Sequence, residues 1–293
     1  MFVGRLRMSR IFSRAIGLAI ALVVGLYWLG FHSSQSASRM PESALALSAA
    51  LPTGWPVVIK QDSKHAVQFL ENRCYWVGYS NERANPLWVS YQLHTAKDGQ
   101  VDKRQEKFLT DMRTSAKVVH EHYSRSGYDR GHLAPNGAIG MLCDDEAQKE
   151  TFFMTNITPQ AKPLNQKWWE RLERAELNYF THLFNEVWVI AGPVFCEMPV
   201  KLPHGPVQVP EAFYKVYIAK KADQWHVLAF MVDQGVKGDE PFSAYRTTVA
   251  QIESRIGFNL LPMLDAAEQQ RIKHDQQDTI WRLPEVDLLP ARY

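Results

Sequence analysis

An α+β fold, with a mostly antiparallel central sheet flanked by helices, is what this sequence predicts, and three observations carry the prediction. The 293-residue chain is 46% hydrophobic and 22% charged, enough apolar material for a sizeable core, and its nine tryptophans and fourteen phenylalanines exclude a disordered polypeptide. Short apolar runs follow one another with turn residues between them, the pattern of strands joined by hairpins. Two longer segments carry helical rather than alternating periodicity, and no repeat or low-complexity tract interrupts the chain.

The elements follow in order. Arg5, Arg7, Arg10 and Arg14 precede AIGLAIALVVGLYWLGF, seventeen uncharged residues at 15–31, and the first acid is Glu42. A basic head before an apolar stretch reads as an export signal or a retained signal-anchor helix over residues 1–36, with Ser34 and Ser36 small enough for a signal peptidase. Seventeen residues is near the short limit for spanning a bilayer. The expected location is exported, periplasmic or membrane-anchored facing outside the cytoplasm. The acid-free, Arg- and Ser-rich head admits a mitochondrial presequence as the alternative. Residues 37–56 read as a linker ending at Pro52 and Pro56, and 57–293 as one domain.

Within that domain CYWVGYS and LWVSYQL flank NERANP as a β-hairpin, and KDG at 97–99 signals another turn. TFFMTNI (151–157) reads as a short strand ending in a Pro-Gln turn. From Asn165 a long helix places Trp168, Leu172, Ala175 and Tyr179 on one stripe. EVWVIAGPVF, FYKVYIAKK and WHVLAFMV read as strands, and SAYRTTVAQIESRIG as a helix capped by Gly257. Beyond about residue 265 the chain reads as a polar tail without recognisable elements.

Charge narrows the function classes. Setting aside the five arginines before Glu42 leaves 28 basic against 31 acidic residues, so the body is not a basic protein and meets a polyanion through a local cluster only. Cys74, Cys143 and Cys196 allow one disulfide, whose partners the sequence leaves open, and no CxxC suggests a thiolate zinc site.

The chemistry-bearing stretch is GYDRGHLAPN, 127–136, which sets Asp129, Arg130 and His132 among helix breakers. Downstream, TNITPQAKPLNQKWWERLE (155–173) opens a helix at Asn165. Eight α-helical steps later Glu173 lies about 80° around the axis, so Asn165, Trp169 and Glu173 share a flank distinct from the core stripe. A strand-borne histidine and a helix-opening carboxamide can converge on one small volume.

DRGHLAP together with TNITPQ…LNQKWWERLE resembles the DNA/RNA non-specific endonucleases, the group of bacterial sugar-non-specific nucleases and mitochondrial endonuclease G, over about residues 70–262. The resemblance implies a ββα-metal finger and a magnesium-dependent endonuclease that cuts DNA and RNA with little sequence preference, manganese substituting for magnesium. It assigns the general base to His132, the metal ligand to Asn165, the water-positioning carboxylate to Glu173, the phosphate-proximal arginine to Arg130 and the motif acid to Asp129. A further upstream family arginine has Arg104 as its nearest counterpart, with its role open. Partners are then DNA and RNA, with the membrane added if the N-terminal segment is retained; the oligomeric state is open, a homodimer among the options.

The chemistry is consistent with these roles. Neutral imidazole near pH 7 can take a proton from water. Magnesium binds through few protein oxygens and keeps several waters. Plainer readings stand beside these roles: Asp129 and Arg130 as a surface pair, Asn165 as an N-cap, Asn156 as a turn residue, Trp168 as core and Trp169 as rim, His120 and His122 as a solvated loop, and DDE at 144–146 as a helix start. Two other functions compete, a membrane-tethered nucleic-acid-binding protein without turnover and a phosphodiesterase on small substrates.

Overall fold

The computed structural model describes residues 52–60, 65–95, 107–276 and 279–291. The apolar stretch 15–31, most of the linker, the 97–99 turn and Arg104 lie outside these residues. Among the described residues no helix is long and apolar enough to cross a membrane.

The strands, in chain order, are β1 (Val57–Val58), β2 (Gln68–Glu71), β3 (Tyr75–Ser80), β4 (Asn85–His94), β5 (Asp129–His132), β6 (Ile157–Gln160), β7 (Glu186–Val194), β8 (Ala212–Lys221), β9 (Gln224–Asp233), β10 (Arg246–Thr247) and β11 (Phe258–Asn259). Seven of them form one antiparallel sheet in the order β10-β9-β8-β7-β4-β3-β2. The expected α+β architecture is therefore present, including the β3–β4 hairpin about NERA. Strands β7 and β8 are buried on both faces, so they read as nearly continuous apolar runs instead of alternating ones.

The helices are α1 (Asn136–Leu142), α2 (Asp145–Glu150), α3 (164–183), α4 (Val249–Ile256), α5 (Ala266–Lys273) and α6 (Leu283–Val286). Asp144 caps α2 by accepting from the Ala147 amide at 2.7 Å, as a helix-start acid should. At α4 a reciprocal pair does the same work: Thr248 accepts from the Gln251 amide and Gln251 from the Thr248 amide. Gly257 ends this helix at φ +73°, the left-handed cap expected of it.

Helix α3 departs from the simple reading. It is α-helical at Glu170–Ala175 and Thr181–Leu183, with π-turns at Leu164–Trp169 and Glu176–Phe180. Each π-turn takes in one extra residue, so the apolar stripe slips from Tyr179 to Phe180, which is buried against Tyr217 and Trp281. Trp169 is core, 1% exposed against Phe213, and not the rim residue expected.

Two further expectations are corrected. The second strand of the motif is not TFFMTNI: residues Met154–Asn156 make a 3₁₀ turn, and Ile157–Gln160 is the strand, Pro159 and Gln160 included. A proline is tolerated there because each strand of a two-stranded sheet has one unpaired edge. The C-terminal tail is also structured. Trp281, Leu283 and Val286 are buried in the main core, under Phe180 and Phe184.

The unassigned disulfide joins Cys74, at the β2–β3 turn, to Cys143, just past α1; Cys196 is an exposed thiol.

Candidate active site

Strands β5 and β6 form their own antiparallel pair, in the register Asp129↔Gln160, Arg130↔Pro159, Gly131↔Thr158 and His132↔Ile157. With α3 following β6 directly, the two motifs fold into a ββα unit. Side-chain hydrogen bonds seat this unit on the large sheet. Thr158 donates to Asn85 Oδ1 at 3.0 Å, and Gln234 accepts from the Ala161 amide at 2.7 Å while donating to the Pro159 carbonyl at 2.9 Å.

The segment leading out of β5 is held as firmly. Asn156 Oδ1 accepts from the Ala134 amide at 2.9 Å, and its Nδ2 donates to the Ala134 and Thr151 carbonyls at 3.0 Å each. Asn156 is thus the turn residue expected. Next to it Thr155 donates to Asp111 at 2.7 Å, and Arg113 donates to the same carboxylate at 2.6 Å. Burial works to raise the Asp111 carboxyl, but the hydrogen bonds from Arg113 and Thr155 outweigh it and hold the group below the ordinary carboxylate value.

Alternation sorts the motif residues onto two faces of β5. Arg130 and His132 share one. Phe108 lies beside both, 5.7 Å from the His132 ring and 5.6 Å from the Arg130 guanidinium, and Phe152 meets the imidazole edge-on at 5.0 Å. His132 is only 9% exposed, so aromatic walls limit how its ring can turn. Arg130 donates from Nε and Nη2 to the His120 carbonyl, at 3.2 and 2.8 Å, and sits 5.8 Å from the Tyr123 ring. That anchorage uses two of its five hydrogen-bond donors, and those of Nη1 are among the remainder.

Asp129 and Gly131 occupy the opposite face. Asp129 Oδ2 accepts from Asn165 Nδ2 at 3.0 Å and from Gln166 Nε2 at 2.9 Å, linking the start of β5 to the first turn of α3. Because the amide nitrogen is turned to the carboxylate, the carboxamide oxygen Oδ1 is the atom Asn165 can offer to a cation. Asn165 is therefore not the N-cap of α3, which follows Pro163. Glu173 is half-buried three positions before Glu176 on the same helix.

Asp129 and Asn165 are thus brought into contact, and Arg130 and His132 share a wall. Among the described residues no group of three or more His, Cys, Asp or Glu side chains could hold a metal. What is present instead, a carboxamide oxygen oriented by a carboxylate, fits a hard divalent ion that retains most of its water. His120 is exposed against Glu121, and His122 is half-buried beneath Gly205, burial keeping its imidazole below the usual histidine value. They form a local turn and not a metal pair.

Sequence reasoning missed the aromatic walls Phe108 and Phe152, the clamp Gln234 and the placement of Gln160. Gln160 alone had a signal, as the last residue of TNITPQ. A cleft lined by Trp225, Met263 and Arg271 shares no residue with this unit.

Residues 58–267 match the family model described as DNA/RNA non-specific endonuclease. The chain belongs to that family. As a member of the DNA/RNA non-specific endonucleases it is an enzyme that hydrolyses nucleic acid, within a family of metal-dependent nucleases. Curated relatives agree. A nuclease of Nostoc sp. is 27% identical over 84% of this chain and 91% of its own length. Human mitochondrial nuclease EXOG is 28% identical over 92% of this chain and 77% of its own. Human mitochondrial endonuclease G is 29% identical over 67% and 70% respectively. A crystal structure of endonuclease G with the inhibitor EndoGI has the same fold, with TM-score 0.62 at 23% identity over 76% of this chain and 94% of that one.

Proposed function

We propose that this endonuclease is magnesium-dependent and cuts both DNA and RNA without reading sequence, with His132 as general base and Asn165 as the ligand to the ion. The observation that carries the reading is the Asp129–Asn165 hydrogen bond. It joins residues 36 positions apart and ties the first turn of α3 to β5, the strand that ends in His132.

The bound ion would supply charge against the phosphate oxygens as negative charge develops on them. His132, walled by Phe108 and Phe152, takes a proton from the attacking water. Arg130 directs its remaining donors at a phosphate oxygen, its guanidinium fixed by the His120 carbonyl. Asp129 keeps the Asn165 amide from rotating, and Glu173 positions water near the ion. Since contacts run to phosphate and not to base edges, binding weakens as salt rises.

The domain boundaries follow the same reading: a signal or anchor at 1–36, a linker at 37–56 and the nuclease domain at 57–293. The Cys74–Cys143 disulfide fits a location outside the reducing cytosol, whether by export or in a mitochondrial compartment like those of the EXOG and endonuclease G relatives.

The test is digestion of plasmid and of single-stranded RNA, in magnesium and in EDTA, by the wild type and by His132→Ala. Both substrates should be cut in magnesium and neither in EDTA. The variant should lose roughly 10²- to 10⁴-fold in rate while keeping its circular dichroism spectrum. A variant within tenfold of wild type removes His132 from the role of base.

A further inference from the structure

Asp129 receives two hydrogen bonds on a single oxygen. Its Oδ2 accepts from Asn165 Nδ2 at 3.0 Å and from Gln166 Nε2 at 2.9 Å, so consecutive residues of α3 converge on one atom of β5. In an α-helix neighbouring side chains point about 100° apart, which turns one of them away from a common partner. Here both lie in the π-turn Leu164–Trp169, whose wider i→i+5 winding brings neighbouring side chains closer in direction. A carboxylate only accepts, so the orientation of both carboxamides is fixed: the nitrogens face Asp129 and the oxygens face away. The two amides differ in their surroundings. Asn165 is half-buried and carries the oxygen assigned to the ion, whereas Gln166 is exposed and could satisfy its amide with water alone. The backbone leading to Asp129 gives its carboxylate little other support. Strand β5 begins at that residue, two positions after Gly127, where an added Cβ would meet open space.

We propose that Gln166 is a positioning residue of the active site, the second of two donors that hold the Asp129 carboxylate in the orientation in which it aims the Asn165 carboxamide at the divalent ion. The inference rests on the reading of Asn165 as the metal ligand. With one donor, Asp129 and Asn165 stay bonded but can swing together about their side-chain torsions. The second bond arrives from a neighbouring Cα and removes that freedom. An ion that takes few oxygens from the protein depends on how well each is aimed, and groups that orient a ligand set its affinity. Gln166 acts through Asp129 and touches neither the ion nor the phosphate. The π-turn then has a use: its winding lets two successive amides share one carboxylate.

Gln166→Met keeps the length of the side chain and removes the donor. Three measurements are made on the full chain: the Mn²⁺ dissociation constant by electron paramagnetic resonance of the free ion, the Mg²⁺ concentration giving half-maximal plasmid cleavage, and the melting temperature without metal. The expected result is Mn²⁺ affinity weakened about tenfold, the low end for a residue that orients a metal ligand, with the Mg²⁺ midpoint raised in parallel and the melting temperature unchanged. Wild-type Mn²⁺ affinity in this variant overturns the proposal. A double-mutant cycle with Asp129→Ala tests the route. Once Asp129 is gone, Gln166→Met should weaken Mn²⁺ binding no further, and losses that multiply overturn the proposal because Gln166 then acts independently of Asp129. Gln166→Asn keeps the amide on a side chain one methylene too short to reach. It should weaken Mn²⁺ binding in the same direction, and unaltered affinity there overturns the proposal even if Gln166→Met does not fold. Asn165→Ala separates the two levels of inference. If it abolishes Mn²⁺ binding while Gln166→Met binds normally, only the Gln166 inference fails. If Asn165→Ala itself binds Mn²⁺ as wild type does, the assignment of the metal ligand fails and takes the Gln166 inference with it.

Discussion

Helix α3 serves two polar clusters that differ in one respect. Around Glu176, fully buried, every demand is met: Lys215 Nζ donates to it at 2.5 Å, Tyr217 at 2.8 Å and Tyr91 at 3.1 Å, and Lys215 also lies 4.5 Å from the Trp169 ring. Burial, and then the Glu176 charge, pushes the Tyr91 and Tyr217 phenols well above their ordinary value, so both stay protonated as donors. Around Gln160, at the other end of the ββα unit, a buried amide has no partner at all. The first cluster is closed and serves the fold. The second is open in that it leaves a polar group unpaired, as Gln148 Nε2 and Asn72 Nδ2 are elsewhere among the described residues.

Breaking the closed cluster should have the largest effect on folding. Lys215→Met leaves the Glu176 charge buried and uncompensated, and we expect about 3–5 kcal/mol of lost stability, read from a urea or thermal melt. Adding Glu176→Leu should restore much of it, because the pair as a whole gains little over apolar residues. A single variant as stable as wild type would show that the pair is not closed. On the open side, Asp129→Ala should cost roughly 10- to 100-fold in metal affinity or turnover with little change in melting temperature, since it frees the Asn165 amide to rotate. A large loss of stability with unaltered metal titration would make Asp129 a fold residue and erase the contrast.

The smallest effect concerns Asp111, which supports the segment before β6. Its carboxyl is held low in the folded chain, so its stabilising contribution is fully present above the ordinary carboxylate range and disappears as pH falls through the lowered folded value. Asp111→Asn should therefore flatten the acid limb of the stability curve, and variant and wild-type melts should converge toward low pH. Parallel curves would indicate that the group does not titrate with folding.

The large sheet was legible because its strands announce themselves by runs of Val, Ile, Tyr and Trp between turns, and α4 by Thr248, Gln251 and Gly257. Other features left no such trace. Pro159 reads as a turn residue and becomes part of an edge strand. The π-turns of α3 come from packing, so an α-helical period placed Trp169 outside and Tyr179 inside. Lys215 sits in FYKVYI as an ordinary charged residue, and only the fold brings it to Glu176, 39 positions away. The motif residues themselves were found, but through resemblance. Nothing in their spacing said that Asp129 would grip Asn165, or that Gly131 makes room for Gln160.

The Cys74–Cys143 bond closes a ring 69 positions long that contains β5 and leaves β6 and α3 outside. A protease cut anywhere inside that ring would yield two polypeptides that still migrate together until a thiol reagent is added. The histidine-bearing strand cannot diffuse away from the sheet after such a nick, so a clipped molecule keeps both halves of its hairpin within reach of each other.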